Sequence, residues 1–282
     1  MVKMLSKIAS AVALLGAASA SHAYLLMEVA QTGGTSGNES FLCQSDTGAG
    51  CGTLQANFTI AGRTTRVYSF EGLSTVGARE NTFTIKTGGG LDDEISFSGW
   101  IGDYEVNTTS GTSNRPGTPE AANTTTSALA VKRDLATGGA LANLFVGLRA
   151  FNFSLPSGEL KSLFGSSSIS SAIGGSSGTI GAKFWADPGN GGGTVTPLIG
   201  CTYALLPDAS CSSPTIEWTD PPAGGFASMF SLRSEHTFLM TAGSGFTGTT
   251  SLTAGRLPEP ATLGLVGVAL LAAASVARRK RA

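Results

Sequence analysis

Histidine is almost missing from this chain: of 282 residues only His22 and His236 are histidine, and from residue 24 to 257 His236 stands alone. That scarcity excludes multi-histidine metal chemistry and leaves His236 as the sole imidazole that a serine-histidine-acid triad could use there. Charge is also sparse, at 13% Asp, Glu, Lys and Arg. The span 24–257 holds 12 Lys and Arg against 18 Asp and Glu, a formal charge of −6. Such a surface repels phosphate backbones and lacks the clustered cations a nucleic-acid binder needs, so no nucleic-acid partner is expected. No cysteine precedes Cys43, which excludes a lipid-modified amino terminus.

Long apolar runs occur only at the two ends. At the start, Lys3 and Lys7 precede the apolar stretch Ile8 to Ala18, and Ser21-His22-Ala23 supplies a small-x-small cleavage pattern. Residues 1–23 therefore read as a signal peptide cleaved before Tyr24, with Ala18-Ser19-Ala20 as the second choice. Removal of His22 with the signal leaves His236 as the exported histidine.

Gly is plentiful, with 39 residues, and Ser and Thr crowd the middle. Short segments rich in β-branched and aromatic residues lie between Gly, Asn and Ser, the pattern of strands. Tyr24 to Ala30, Leu54 to Ile60, Thr65 to Phe70, Asn81 to Thr87, Glu94 to Ser98, Leu144 to Phe153 and Thr179 to Trp185 are among them. In Asn81 to Thr87, Phe83 and Ile85 alternate with Thr82, Thr84 and Lys86, as in a strand with one buried and one wet face. The expected fold of residues 24–257 is all-β, an antiparallel β-sandwich or jelly-roll-like domain. Glu159 to Ile173 is expected as the one helix, from the spacing of Leu160, Leu163 and Phe164. Residues 108–126 and 174–178 are expected as flexible loops.

Cys43, Cys51, Cys201 and Cys211 all fall in the exported part, where an oxidising compartment permits disulfides. Three connectivities are possible. The local pairs Cys43 with Cys51 and Cys201 with Cys211 need the fewest long-range assumptions, and each would contribute roughly 2 to 3 kcal/mol. A zinc site is the rival, but it lacks Cys-x-x-Cys spacing and a nearby histidine.

At the far end, Pro258-Glu259-Pro260 is followed by the apolar run Ala261 to Ala277 and by Arg278, Arg279, Lys280 and Arg281. As a helix the run would rise roughly 26 Å, enough to cross a thin hydrocarbon core. The basic tail would stay cytoplasmic, leaving the rest of the protein outside. The prolines hold Leu257 and Glu259 in extended backbone, and Pro260 suits the first position of a helix. A membrane-embedded protease would meet a stiff, negatively marked peptide at a fixed height above the lipid.

This segment, residues 258–282, resembles the PEP-CTERM sorting signal, the tag read by exosortases in Gram-negative bacteria. The resemblance covers only about the last 25 residues, yet motif, helix and basic cluster stand in the right order. It implies processing by an exosortase, an integral-membrane cysteine protease. It further implies an inner-membrane tethered precursor, a single C-terminal transmembrane helix, and delivery to the cell surface or extracellular matrix, often with exopolysaccharide and biofilm. The Leu-Pro-x-Thr-Gly signal of sortases fits less well, because Pro260 and Ala261 replace its Thr-Gly pair.

Elsewhere the chemistry is thin. Asp92-Asp93-Glu94 and Asp187-Pro188-Gly189-Asn190 could offer oxygen ligands to Ca²⁺, but neither has EF-hand spacing, and solvated turns are expected. Trp100, Trp185, Trp218 and Tyr104 could form a sugar-stacking platform, although tryptophan is more often core. His236 is expected as a satisfied surface or edge histidine. The reading is therefore a non-enzymatic exported surface or matrix protein without cofactor, metal site or catalytic residues. The alternative is an extracellular glycan-active hydrolase or carbohydrate-binding module.

Overall fold

The computed structural model describes residues 24–255 apart from 35, 75–76, 89–92, 114–120, 136–141, 154–161, 174–175, 188–189, 191–198, 207–208, 213–215 and 218–228. For 73–74, 107–110, 112–113, 121–130, 162, 199 and 216–217 it describes backbone alone. The signal segment 1–23, the sorting segment 258–282 with its expected membrane helix, and Trp218 lie outside these residues.

Two antiparallel sheets stack face to face. One is formed by β1 (Leu25–Gly33), β2 (Glu39–Gln44), β9 (Ala142–Phe153), β11 (Gly178–Asp187), β12 (Ile199–Ala204) and β15 (Phe230–Met240), in the order β12-β11-β15-β9-β1-β2. The other contains β3 (Thr53–Ile60), β4 (Arg63–Ser74), β5 (Gly77–Gly88), β6 (Asp93–Ile101), β7 (Tyr104–Ser113), β8 (Ala121–Arg133), β10 (Ser162–Ala172), β13 (Ser210–Ser212), β14 (Ile216–Glu217) and β16 (Gly245–Gly255). Its order is β13-β10-β16-β8-β7-β6-β5-β4-β3, with β14 also on β10.

Alternation builds this sandwich. In β1, Leu25, Met27 and Val29 are buried while Glu28 and Ala30 point away. Across the pairings, Leu144, Val146 and Leu148 of β9 and Leu232 and Phe238 of β15 fill the same side. The opposing sheet supplies Phe83 and Ile85 of β5, Ile95 and Phe97 of β6, and Leu252 and Ala254 of β16. Burying each such large side chain contributes about 1.5 to 3 kcal/mol, which makes the layer between the sheets the dominant cohesive element. The alternation expected at Asn81 to Thr87 is present in β5, with Phe83 and Ile85 inward.

Two expectations are corrected. The expected helix is β10: Leu163, Gly165, Ser167 and Ile169 face inward with period two, while Phe164 and Ser168 do not. Polar Ser167 occupies a core position by sharing hydroxyl hydrogen bonds with Tyr203 and Thr250, and so it masks the alternation. Much of the loop expected at 108–126 is the paired ends of β7 and β8. Thr is β-branched and well suited to a pleated surface, which outweighs its frequency in loops.

The disulfides sit at the margins. Cys201–Cys211 joins β12 of one sheet to β13 of the other, and Cys43–Cys51 ties β2 to the connection leading into β3. The local pairing is thus the one formed. Arg66 of β4 reinforces the second margin by donating to the carbonyls of Ser45 and Asp46.

Candidate functional site

The described residues among those singled out for chemistry do not converge; Asp92, Pro188 and Gly189 lie outside them. Asp93 and Glu94 are consecutive in β6 and so face opposite sides; Asp93 is buried, and Glu94 pairs with Arg63 at 3.5 Å and Lys86 at 3.1 Å. At the second oxygen-rich turn, the Asn190 side chain is engaged by Asn152, accepting from its backbone N–H at 2.8 Å. Among the described residues no three His, Cys, Asp or Glu side chains gather as metal ligands. Among the described residues the aromatic platform does not form either. Tyr104 is in the core, and Trp100 and Trp185 belong to different sheets.

His236 is neither at the surface nor at an edge. It lies in the middle of β15, between β11 and β9, at 1% exposure, with Phe184 and Phe238 against its ring and both ring nitrogens without hydrogen-bond partners. Burial pulls its pKa down to about 4, opposed weakly by the backbone of Val146 across on β9. Residues 174–178 spell Gly-x-Ser-x-Gly, letters easily passed over among the Gly and Ser repeats. Here they lead into a strand instead of a helix, and the Ser176 hydroxyl bonds the backbone of Gly245. Register places Gly178 opposite Met240, four residues along β15 from His236, roughly 13 Å.

Two charged groupings escaped sequence reasoning, because their members are far apart in the chain. The first is a sealed node between the sheets. Asp103, in the β6–β7 turn, takes Arg133 of β8 at 3.4 Å and accepts from the Ser36 backbone N–H and hydroxyl. Its own N–H donates to Gln31 of β1 at 2.6 Å. Arg133 also donates to the Met240 carbonyl, and the Tyr104 hydroxyl donates to that of Ala142 at 2.6 Å. Gly34, at φ +75°, leaves the room: a Cβ there would stand 2.3 Å from the Asp103 carboxylate. Burial pushes the Tyr104 hydroxyl up to about 12. With Asp103 and Arg133 both shut off from water, this node clamps the sheets together and has no opening for a ligand.

The second lies on the outer face of the six-stranded sheet. Arg149 of β9 and Arg233 of β15 are direct cross-strand partners. Glu28 faces Arg149 at 3.9 Å, Glu235 pairs with Arg233, and the Arg233 guanidinium lies 5.0 Å over the Trp185 ring. Burial lowers the pKa of both arginines; for Arg233, brought down to about 10, neighbouring Arg149 adds to the effect and Glu28 opposes it. Tyr24 stacks on Phe151 at 4.3 Å on β9. The two guanidinium groups keep some access to solvent and can donate hydrogen bonds, whereas Trp185 and Phe151 are buried beneath Arg233 and Tyr24.

No curated protein matches the chain. Among solved structures, a carbohydrate-binding module studied for specific mannan recognition is 14% identical, covering 55% of this chain and 81% of its own, with a TM-score of 0.27. Carbohydrate-binding modules of the β-sandwich superfamily give 11%, 84% and 85%, with a TM-score of 0.22. The structure of the infectious bursal disease virus Gx strain gives 11%, 86% and 59%, with a TM-score of 0.25. Scores this low carry no functional argument. The family comparison is different in kind: residues 257–281 match the PEP-CTERM protein-sorting motif. The chain is an exported protein that carries a C-terminal PEP-CTERM sorting signal for exosortase processing.

Proposed function

We propose that the chain is a non-enzymatic cell-surface or extracellular-matrix protein, held first at the inner membrane by residues 261–277 and then released to its destination by an exosortase. The observation that carries this reading is the motif match at 257–281. Two local disulfides and an acidic sandwich suit an oxidising, exposed location. In the matrix the proposed partner is exopolysaccharide, taken by hydrogen bonding to the Arg149 and Arg233 guanidinium groups on the outer face of the six-stranded sheet.

In this reading Pro258, Glu259 and Pro260 are recognised chemically, while the apolar run and Arg278 to Arg281 hold them at the membrane surface. Replacing Pro258 and Pro260 by Ala lets helix extend into the recognition segment. The expected result is a protein that inserts normally and stays uncleaved. Deleting Arg278 to Arg281 instead weakens orientation and retention. Immunoblot fractionation in strains with and without the exosortase tests this. Identical processing in both strains, unaffected by the double replacement, would reduce the segment to a plain anchor. Pull-down of the processed protein on the producing strain's polysaccharide, with analysis for cleaved sugar, tests binding and the non-enzymatic assignment separately.

A further inference from the structure

β3 is the outermost strand of the ten-stranded sheet and, among the described residues, pairs only with β4. Its free side therefore offers a row of unpaired N–H and C=O groups, the template for adding another strand. Seven of its eight residues are exposed, including Phe58 at 46% and Ile60 at 68%. Two of the devices that usually blunt such an edge are missing, because Thr53–Ile60 contains no charged residue and no proline; the one irregularity lies at its start, between Leu54 and Ala56. The other margins are protected: β2 carries Glu39 and the Cys43 bond, while β12 and the three-residue β13 are joined by Cys201–Cys211.

A register shift between Leu54 and Ala56 limits the regular edge to Ala56 through Ile60. There Ala56, Phe58 and Ile60 pair with Val67, Thr65 and Arg63 of β4. They share the outer face of the sheet, because Tyr68 and Arg66 of β4 point toward the core side. Asn57 and Thr59 take the opposite face.

We propose that β3 is a self-association edge, at which two copies of this chain pair β3 to β3, antiparallel, about a twofold axis through Phe58. A twofold contact demands a surface complementary to itself. This one is: Phe58 meets Phe58, Ala56 meets Ile60, and Asn57 meets Thr59, so apolar residues fall on one side and polar residues on the other. Charge does not oppose it locally. The nearest cations, Arg63 and Arg66, are one strand in on β4. Their counterparts stand three strand spacings away, roughly 14 Å, beyond the screening length of about 8 Å at physiological salt.

Sedimentation equilibrium of the purified exported protein, over about a hundredfold range of concentration, tests this. A monomer–dimer equilibrium is expected, weakened at least about tenfold by Phe58→Lys and by Ile60→Lys, with circular dichroism unchanged. Phe58→Cys should give a disulfide-linked dimer on a non-reducing gel, since directly opposed strand residues lie within disulfide reach, whereas Thr65→Cys on β4 should not. A monomer at every concentration overturns the proposal. So does a dimer indifferent to both lysines, or a different protein found paired with β3 while this chain stays monomeric. Should Phe58→Lys fail to fold, Ile60→Lys and the cysteine cross-link decide the matter.

Discussion

With its ring between Phe184 and Phe238 and both nitrogens unpartnered, His236 is a base kept neutral by its surroundings. An unfolded chain takes up this proton near pH 6.5, the folded chain only near 4. Stability from this residue is therefore complete above pH 6.5 and falls as pH drops toward 4, by about 3 kcal/mol in all. Urea midpoints measured across that window should fall in the native protein, and the fall should be smaller in His236→Leu. A second residue-scale outcome concerns the Asp103–Arg133 pair. Asp103→Ala strands a buried guanidinium and should cost about 3 to 5 kcal/mol, whereas Asp103→Leu combined with Arg133→Met should cost less. Denaturant unfolding of both variants checks the order. Neither arrangement is legible in sequence: Glu235 beside His236 suggests an exposed position, and only the register of β15 between β9 and β11, which turns His236 toward the opposing sheet with Val146 and Ala182, buries the ring.

At the scale of elements, alternation was readable where core positions are apolar and obscure where they are polar. Phe83 and Ile85 announce β5, whereas Ser167 breaks the pattern of β10 because its burial depends on Tyr203 and Thr250, distant in the chain. Thr-rich β7 and β8 look like loop until they pair with each other. The hairpin between β3 and β4 turns through Ala61 at φ 50° and Gly62 at φ 78°. Two left-handed residues match the turn type that favours Asn-Gly, and alanine is strained in the first position. Ala61→Asn should therefore raise stability by roughly 0.5 to 1 kcal/mol, seen as a higher thermal midpoint. Converting Cys201 and Cys211 together to Ser releases a short loop and the strap between the sheets, and should cost roughly 2 to 3 kcal/mol in urea unfolding.

For the molecule as a whole, the ends speak more clearly than the middle. Export and sorting signals must be read from linear sequence by other proteins, so their residues are contiguous, as Pro258-Glu259-Pro260 is. A face such as Glu28, Arg149, Trp185 and Arg233 is assembled from four strands and has no linear signature. Under the proposed tethering by the tail, the position of β16 matters. Gly255, the last described residue, ends β16, an interior strand bonded along nearly its whole length to β10 on one side and β8 on the other. Tension reaching Gly255 along the strand axis loads both ladders in shear, so many hydrogen bonds must fail together, where an edge strand would share the same load over a single ladder. In the proposed tethered state, drag from moving water on the domain is then shared across the middle of the sheet.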